Sequence, residues 1–529
     1  MFSLLFKKLK FLQSLISKPE APSSPREDPL TGNLVKDLAA FRKQVGDSPD
    51  IVVREFNISH NISAAVIFID GLVLDPLVNQ HIMHPLTQLN EHDVVYKKGR
   101  DLFDSLKNKL LPVGSIREES SLTKTIERVF TGATAILIDG SKKAILTYIP
   151  GWERRSISEP DSEIVVKGPR EGFVETLRTN TALLRRKIGH PGLTFETLVI
   201  GQRTRTEVTI AYLNGVAHPK LVQEVKRRLE RIKTDGILNA GYIEQYIEDA
   251  PFSPFMTVGY TERPDVAAAR ILEGRVAILT EGTPVVNTVP FLFVESFQSP
   301  DDYTFRPYFT TLTRWFRYIA FAGSVLSPGM FVALTTFHQE LLPTPLLISM
   351  AAAMEGTPLP AVGEALVMGL IFEILREAGI RLPKAVGQAV SIVGALVIGE
   401  AAVQAGFIGA PVVIVVAFTA ISSFAVPKQF DVGALLRVVI TILAGLFGLY
   451  GILIFLIITF THLVSLRSFG IPYLSPISPL MPKDLKDVLV RAPAWAMVTR
   501  PESLDISDPV RQEFDLMPGP ENDKKNQKN

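Results

Sequence analysis

Between Tyr318 and Leu466 the chain carries 5 basic and 7 acidic side chains in 149 residues, about 8%. So long an apolar stretch is too sparsely charged for the surface of a soluble fold, and it implies helices in a bilayer. The first 317 residues are ordinary by contrast, with 79 charged side chains, about 25%, and the segment from Arg467 onward holds 9 basic and 9 acidic ones. The chain therefore reads as a multi-domain membrane protein: two N-terminal soluble α/β subdomains, then an α-helical transmembrane domain of about four to six spans. The expected division is a basic helix and linker over 1–29, subdomains over 30–150 and 151–300, a membrane domain over 301–466 and a polar tail over 467–529.

Residues 1–18 place Phe2, Leu5, Phe6, Leu9, Leu12 and Ile16 at helical spacing among Lys7, Lys8, Lys10 and Lys18. Those lysines interrupt what a signal peptide keeps uncharged. A basic amphipathic helix on an anionic leaflet and a frayed soluble helix remain equal alternatives. In the first subdomain Ala64–Leu74 turns at Asp70-Gly71 and Gly132–Ile149 at Asp139-Gly140, both hairpin signals. Helical periodicity marks 34–45, 79–89 and 121–131. In the second, helices are expected over Gly172–Lys187 and Lys220–Thr234, and strands over Leu198–Gly201, Thr206–Leu213, Val276–Thr280 and Val285–Val294. Trp152–Pro169 is a charged connection.

Enzyme chemistry is not expected. The sequence has no GxxxxGK[ST] loop, no GxGxxG after a strand, no HExxH and no GxSxG elbow. Zero cysteines exclude a thiolate metal site or a cysteine nucleophile, and a net charge of +1 gives no nucleic-acid footprint. His81 and His84, with His60, are a metal candidate outweighed by a solvated helix face. The basic run Lys226, Arg227, Arg228, Arg231 and Lys233 reads more readily as a solvated face than as a site for an acidic partner or a membrane surface.

Four segments are candidate spans: Tyr318–Phe337, Ala385–Phe407, Pro411–Val426 and Val438–Leu466. The stretch 341–375, interrupted by Pro343, Pro345, Gly356, Pro358 and Pro360, reads as a re-entrant or discontinuous element followed by a helix near Ala361–Leu375. Tyr318–Leu375 contains no Lys or Arg but holds Glu340, Glu355, Glu364 and Glu373, and Glu400 follows with Gln404 one turn on. A carboxylate in hydrocarbon costs on the order of 3 kcal/mol unless water or a partner meets it. Glu340 and Glu355, near predicted segment ends, read as sitting at the headgroups or as protonated and hydrogen-bonded between helices. Glu364, Glu373, Glu400 and Gln404 are the candidate pore-lining residues, with hydrogen bonding between helices as the alternative. Glu364 and Glu373, nine residues apart, point to roughly opposite faces of one helix.

Gly387, Ser391, Ala395 and Gly399 recur every four positions and Gly445, Gly448 and Gly451 every three, so both stripes are candidate helix-packing faces, within a protomer or between protomers. Arg314 and Arg317 before the first span put the N-terminal half in the cytoplasm, with further cytoplasmic loops at Arg376, Arg381, Lys384 and at Lys428, Arg437. Five crossings leave the tail outside; a re-entrant 341–375 or a paired final segment returns it.

From about Asn33 to Pro479 the chain resembles the A subunit of the GerA-type spore germinant receptors. The motifs are long: Gly46-Asp-Ser-Pro-Asp-Ile-Val-Val-Arg-Glu-Phe56, Lys167-Gly-Pro-Arg-Glu-Gly-Phe-Val-Glu175 leading to Asn180 and Arg185-Arg186, Gly201-Gln-Arg-Thr204, Thr261-Glu-Arg-Pro-Asp265, Leu272-Glu-Gly-Arg275, Glu281-Gly-Thr-Pro284, Asp302-Tyr303 and Phe469-Gly-Ile-Pro-Tyr-Leu-Ser-Pro476. Lys167 and Gln202 depart from the family's frequent Arg and Glu. The resemblance implies a receptor subunit of the spore inner membrane, partnered by a permease-like B subunit and a lipoprotein C subunit. It also implies self-association into a ring, pentameric by expectation, acting as a nutrient-gated channel for monovalent cations. The alternatives are a secondary transporter using 341–375 as its site, and a non-conducting scaffold for the other subunits.

Overall fold

The computed structural model describes residues 28–58, 62–88, 115–149, 160, 163–382, 397–504, 506–513 and 516–517. The basic helix over 1–18, His60, most of the Trp152–Pro169 connection, Lys384, and Gly387, Ser391 and Ala395 of the first small-residue stripe lie outside the described residues. The chain forms two compact units, residues 1–154 with 181–194, and residues 155–180 with 195–529.

The first unit is built on a five-stranded sheet. Helix α1 (Leu34–Val45) starts at Asn33, whose side chain accepts the Lys36 amide, and its Leu34, Leu38, Phe41 and Val45 face inward at helical spacing. Strands β1 (Ile51–Ile58) and β2 (Ile62–Ile69) pair antiparallel from Ile51 opposite Ile69 to Ile58 opposite Ile62. After β3 (Ile116–Glu119), Ser121 caps α2 (Leu122–Phe130), and β4 (Ala133–Ile138) and β5 (Ala144–Tyr148) form the hairpin turned at Asp139-Gly140. The strand order is β1-β2-β4-β5-β3. The Asp70-Gly71 signal is corrected. β2 is already flanked by β1 and β4, so no place is left for a strand after it. The chain turns instead into three contiguous helical pieces, Asp75–Val78, Asn79–Met83 and His84–Thr87, with Pro76 in the first turn.

The second unit includes only the first turn of α3 (Leu177–Lys187), a helix that begins five residues later than periodicity suggests. Its sheet comprises β6 (Leu193–Ile200), β7 (Thr206–Leu213), β8 (Gly259–Thr261), β9 (Val276–Thr280) and β10 (Val286–Val289), in the order β6-β7-β9-β10-β8. Helices α4 (Pro219–Glu230), α5 (Ala240–Ile247) and α6 (Pro264–Leu272) connect these strands. Taken by rank in the chain, the strand order repeats that of the first sheet, a duplication of topology without a visible repeat in sequence.

Helix α7 (Pro307–Thr336) begins the apolar half, followed by α8 (Thr344–Met354), α9 (Ala361–Arg381), a helical stretch over 397–404, α10 (Ala410–Phe424) and α11 (Phe430–Ser465). Among the described residues two helices are long and apolar enough to cross a membrane, Pro307–Thr336 and Pro427–Ser465, against the four to six spans expected; Thr344–Met354 and Ala410–Phe424 are apolar but shorter. The 341–375 stretch is broken as its prolines require, with α8 ending at Met354 and α9 starting after Pro360.

Helix α11 is not one rod. Gly448 has φ 61° and ψ −141°, outside helical space and reached readily by glycine. A Cβ on Gly451 would overlap the Leu443 carbonyl, although eight residues of straight helix rise ~12 Å. Both ends of α11 also return to one place. Gln429 donates to Ser296 Oγ at 2.7 Å, and His462 lies against Phe255, which packs on Phe293 in the same turn as Ser296. Val432 and Leu463 share one apolar cluster. In a straight helix Gln429 and His462 would be about 50 Å apart. α11 is therefore a helical hairpin with limbs 430–447 and 449–465, each rising ~26 Å.

The segment after α11 is folded. A two-stranded hairpin, β11 (Arg467–Ser468) with β12 (Ile471–Pro472), leads into a stretch held on the second soluble module. Ser468 Oγ donates to the Thr257 carbonyl, Phe469 N–H to Asp249, and Arg500 Nε to the Leu272 carbonyl. The single Val438–Leu466 span expected from sequence is thus corrected to a paired helix that turns at Gly448.

Candidate ion path in the membrane half

The four candidate polar residues have distinct surroundings. Glu364, in the first turn of α9, is fully buried, and its Oε2 accepts the Gly409 N–H at 3.1 Å, immediately before α10. A carboxylate there satisfies an otherwise unpaired amide and lies at the positive end of the α10 dipole. Glu373, two and a half turns further on, pairs with Arg376 at 2.8 Å and with Arg437 of α11 at 3.5 Å. As their spacing required, the two glutamates of α9 engage different neighbours. Glu400 and Gln404 sit on the 397–404 helix, where the Gln404 amide donates to Glu400 at 3.0 Å, and Glu400 is exposed.

Within one protomer Glu364 is hydrogen-bonded and Glu373 is ion-paired, while Glu400 is exposed with Gln404 beside it. Replacing Glu364 by alanine removes the acceptor from a buried amide, and a loss of about 1–3 kcal/mol is expected, visible in thermal unfolding of the detergent-purified chain. Glu364→Gln keeps an acceptor and is expected to lose less.

The glycines mark close approach. A Cβ on Gly445 would stand 2.7 Å from Val362 Cγ2, one on Gly448 2.8 Å from His338 Cε1, and one on Gly399 3.4 Å from Val413 Cγ1. Gly445 admits α9, Gly448 and Gly451 serve the α11 turn, and Gly399 adjoins the first turn of α10. The 445–448–451 series is not a stripe on one regular helix face, because Gly448 reverses the chain.

Several partners were not visible in sequence. Arg437, read as a loop marker, is buried in α11 beside Glu373, and Arg376 stacks 3.6 Å from the Phe430 ring centroid. Arg314, in the third turn of α7, is fully buried between Asp302 at 2.9 Å and Asp487 at 3.0 Å, and Arg317 also reaches Asp302 at 2.9 Å. Tyr303 donates to Asp487 at 2.8 Å. The Asp302-Tyr303 motif thus joins the second soluble module, α7 and the C-terminal segment. Lys428, before α11, pairs with Glu163 at 3.0 Å. Burial pushes the Glu163 carboxyl up, but Lys428 and a hydrogen bond from Thr261 outweigh it and hold the pKa below the usual range.

In the first unit, Arg185 is fully buried, with Nε 2.7 Å from Asp50, Nη1 donating to the Leu193 carbonyl at 2.7 Å and Nη2 to Ser48 at 3.2 Å. Its guanidinium lies 4.9 Å from the Phe130 ring centroid. Two motifs 135 residues apart meet here. In the basic run, Lys226 pairs with Glu196, Arg227 with Glu224, and Arg228 with Glu224 and Asp249, while Arg231 and Lys233 are exposed. Among the described residues no group of three or more His, Asp or Glu is placed to hold a metal.

The family model described as Bacillus/Clostridium GerA spore germination protein matches residues 39–503. The chain belongs to the GerA spore germination protein family. It is 44% identical over 499 residues to spore germination protein KA of Bacillus subtilis strain 168, covering 93% of this chain and 90% of that one. With the membrane protein YfkQ of the same organism it is 41% identical over 503 residues, 94% of each chain. Among solved structures, the N-terminal domain of the A subunit of the Bacillus megaterium spore germinant receptor GerK3 is 30% identical, with a TM-score of 0.41 over 50% of this chain and 98% of that domain. This GerA-family chain combines a soluble N-terminal region with an integral membrane region.

Proposed function

We propose that the chain is the A subunit of a nutrient germinant receptor in the spore inner membrane, and that copies of it assemble into a ring, with five expected, that conducts monovalent cations when nutrient is sensed. A permease-like B subunit and a lipoprotein C subunit complete the receptor. The proposed division is a basic amphipathic helix and linker (1–29), two soluble subdomains (30–150 and 151–300), a membrane domain (301–466) and a polar C-terminal tail (467–529).

Six passes are proposed: α7 away from the soluble module, α9 back, the expected Ala385–Phe407 span (385–396 of which lie outside the described residues) away, α10 back, and the two limbs of α11 away and back. Three contacts support this order: Phe337 beside Gly448, Arg376 beside Phe430, and Thr419 within 2.8 Å of Ser327. Six passes put both soluble parts on one side. Arg314, Arg317, Arg376, Lys428 and Arg437 all lie toward that side, which favours the cytoplasm.

The observation that carries the channel is Glu400. It is an exposed carboxylate on the 397–404 helix, beside the first turn of α10, and the six proposed passes put that helix in the membrane. Hydrocarbon would cost it on the order of 3 kcal/mol, so in the membrane it faces water or another copy. Glu400 and Gln404 are assigned to the ion path, and Glu364 and Glu373 to positions behind it that hold the path's helices. In spores carrying Glu400→Gln, nutrient-triggered potassium release is expected to slow about tenfold, equivalent to ~1.4 kcal/mol. Unchanged rate and cation selectivity would favour the scaffold reading instead.

A further inference from the structure

The second soluble module ends against the returning limb of α11. Ser253 Oγ lies 2.8 Å from His462 Nε2, and Phe255 packs in the cluster that contains Leu463 and Leu466. Phe252, next to Ser253, is 101% exposed, and Tyr246 on the outer face of α5 is 54% exposed. A phenylalanine open to water normally has no reason to be beside the last turn of an apolar helix. It has one where the helix leaves the bilayer, because an apolar phenylalanine can enter the headgroup–acyl boundary there, and a tyrosine ring is at home at the headgroup level.

Basic side chains surround the same place. Arg467 is exposed two residues beyond the end of α11. Arg228 binds the Ile247 carbonyl and Asp249 and lies 4.1 Å from the Phe469 ring centroid. Arg231 and Lys233, one turn further along, are exposed. Exposed cations at the level where a helix emerges meet lipid phosphates, and acidic headgroups strengthen the contact.

We propose that this face of the module rests on the bilayer and binds acidic phospholipid headgroups, with Phe252 and Tyr246 entering the interface and Arg231, Lys233 and Arg467 taking the phosphates. The proposal rests on the placement of α11 in the membrane. It fixes the module's angle to the bilayer at the end of the last limb, separately from the Asp302 contacts at α7.

The test uses full-length chain in phosphatidylcholine liposomes with or without phosphatidylglycerol. Tryptophan is introduced at Phe252→Trp or, as a depth reference, Ile457→Trp, and emission is read as the difference from the parent chain and its 3 native tryptophans. With lipid brominated near the headgroup, Phe252→Trp is expected to lose roughly half its added emission, and more when phosphatidylglycerol is present. Charge reversal of Arg231, Lys233 and Arg467 to glutamate is expected to abolish that dependence on acidic lipid.

Quenching at 457 but none at 252 overturns the proposal and leaves the α11 placement standing. Shielding of 252 from aqueous iodide without lipid quenching also overturns it, since a second copy or another protein then covers the face. Quenching at neither position overturns the placement of α11 and the proposal with it. Equal quenching in both lipid compositions overturns the acidic-headgroup assignment.

Discussion

Replacing Arg185 by alanine is expected to destabilise the first soluble unit by about 3–5 kcal/mol. Asp50 is 2% exposed, and without the guanidinium its charge is left with Ser48 Oγ at 2.5 Å. The Leu193 carbonyl loses its donor and the Phe130 ring its cation at the same time. Hydrogen exchange of the full chain would show strands β1 and β2 losing protection while the apolar helices keep theirs. A double replacement, Asp50→Ala with Arg185→Met, is expected to recover a large part of the loss. Two buried charges removed together leave none unpaired, and burying the pair was costly from the start. Equal loss in the single and double variants would mean that the site needs the ion pair itself.

A loss of similar size, about 3–5 kcal/mol, is expected for Asp302→Ala. Asp302 is 2% exposed and serves two arginines of α7, so its removal leaves the fully buried Arg314 with Asp487 as its remaining carboxylate. The readouts are thermal unfolding of the purified chain and protease cleavage at Arg314 and Arg317, which should become accessible. Asp302→Asn keeps acceptor capacity and should lose less. Because the site ties α7 to both the soluble module and the C-terminal segment, a nutrient response weakened beyond the loss of folded protein would show that the three-way contact transmits the signal.

Much of the soluble half was readable because its strands have period-two or continuous apolar runs bounded by turn residues. Thr206–Leu213 and Val276–Thr280 appear with the expected limits. Asp139-Gly140 and Asp70-Gly71 carry the same local signal, yet the first makes a hairpin and the second does not. The difference is the sheet position of β2, a non-local fact that no local window contains.

Two features of the membrane half were hidden for different reasons. The run Val438–Leu466 has no charge to mark a turn, so it read as one long span, and Gly448 resembled one more small residue of a stripe. The folded-back geometry depends on what Gly448 and Gly451 meet across the turn. Glu373 has no counter-charge within the basic-free window, because its partners, Arg376 and Arg437, lie outside it. Arg185 looked like one of three cations at a helix end, and only the fold brings it to Asp50. Charge counts by segment located the polar residues of the apolar half but could not pair them.

The chain contains no cysteine, so a single introduced thiol is the sole target for thiol reagents. Gln404→Cys, one turn from Glu400, can be treated with a membrane-impermeant, positively charged methanethiosulfonate while potassium flux through the reconstituted chain is recorded. Rapid modification with a fall in flux is the expected result, since a conduit wet at Glu400 admits the reagent and the added charge repels cations. A thiol that stays unmodified in a conducting preparation, or is modified with no change in flux, would contradict an ion path along Glu400 and Gln404.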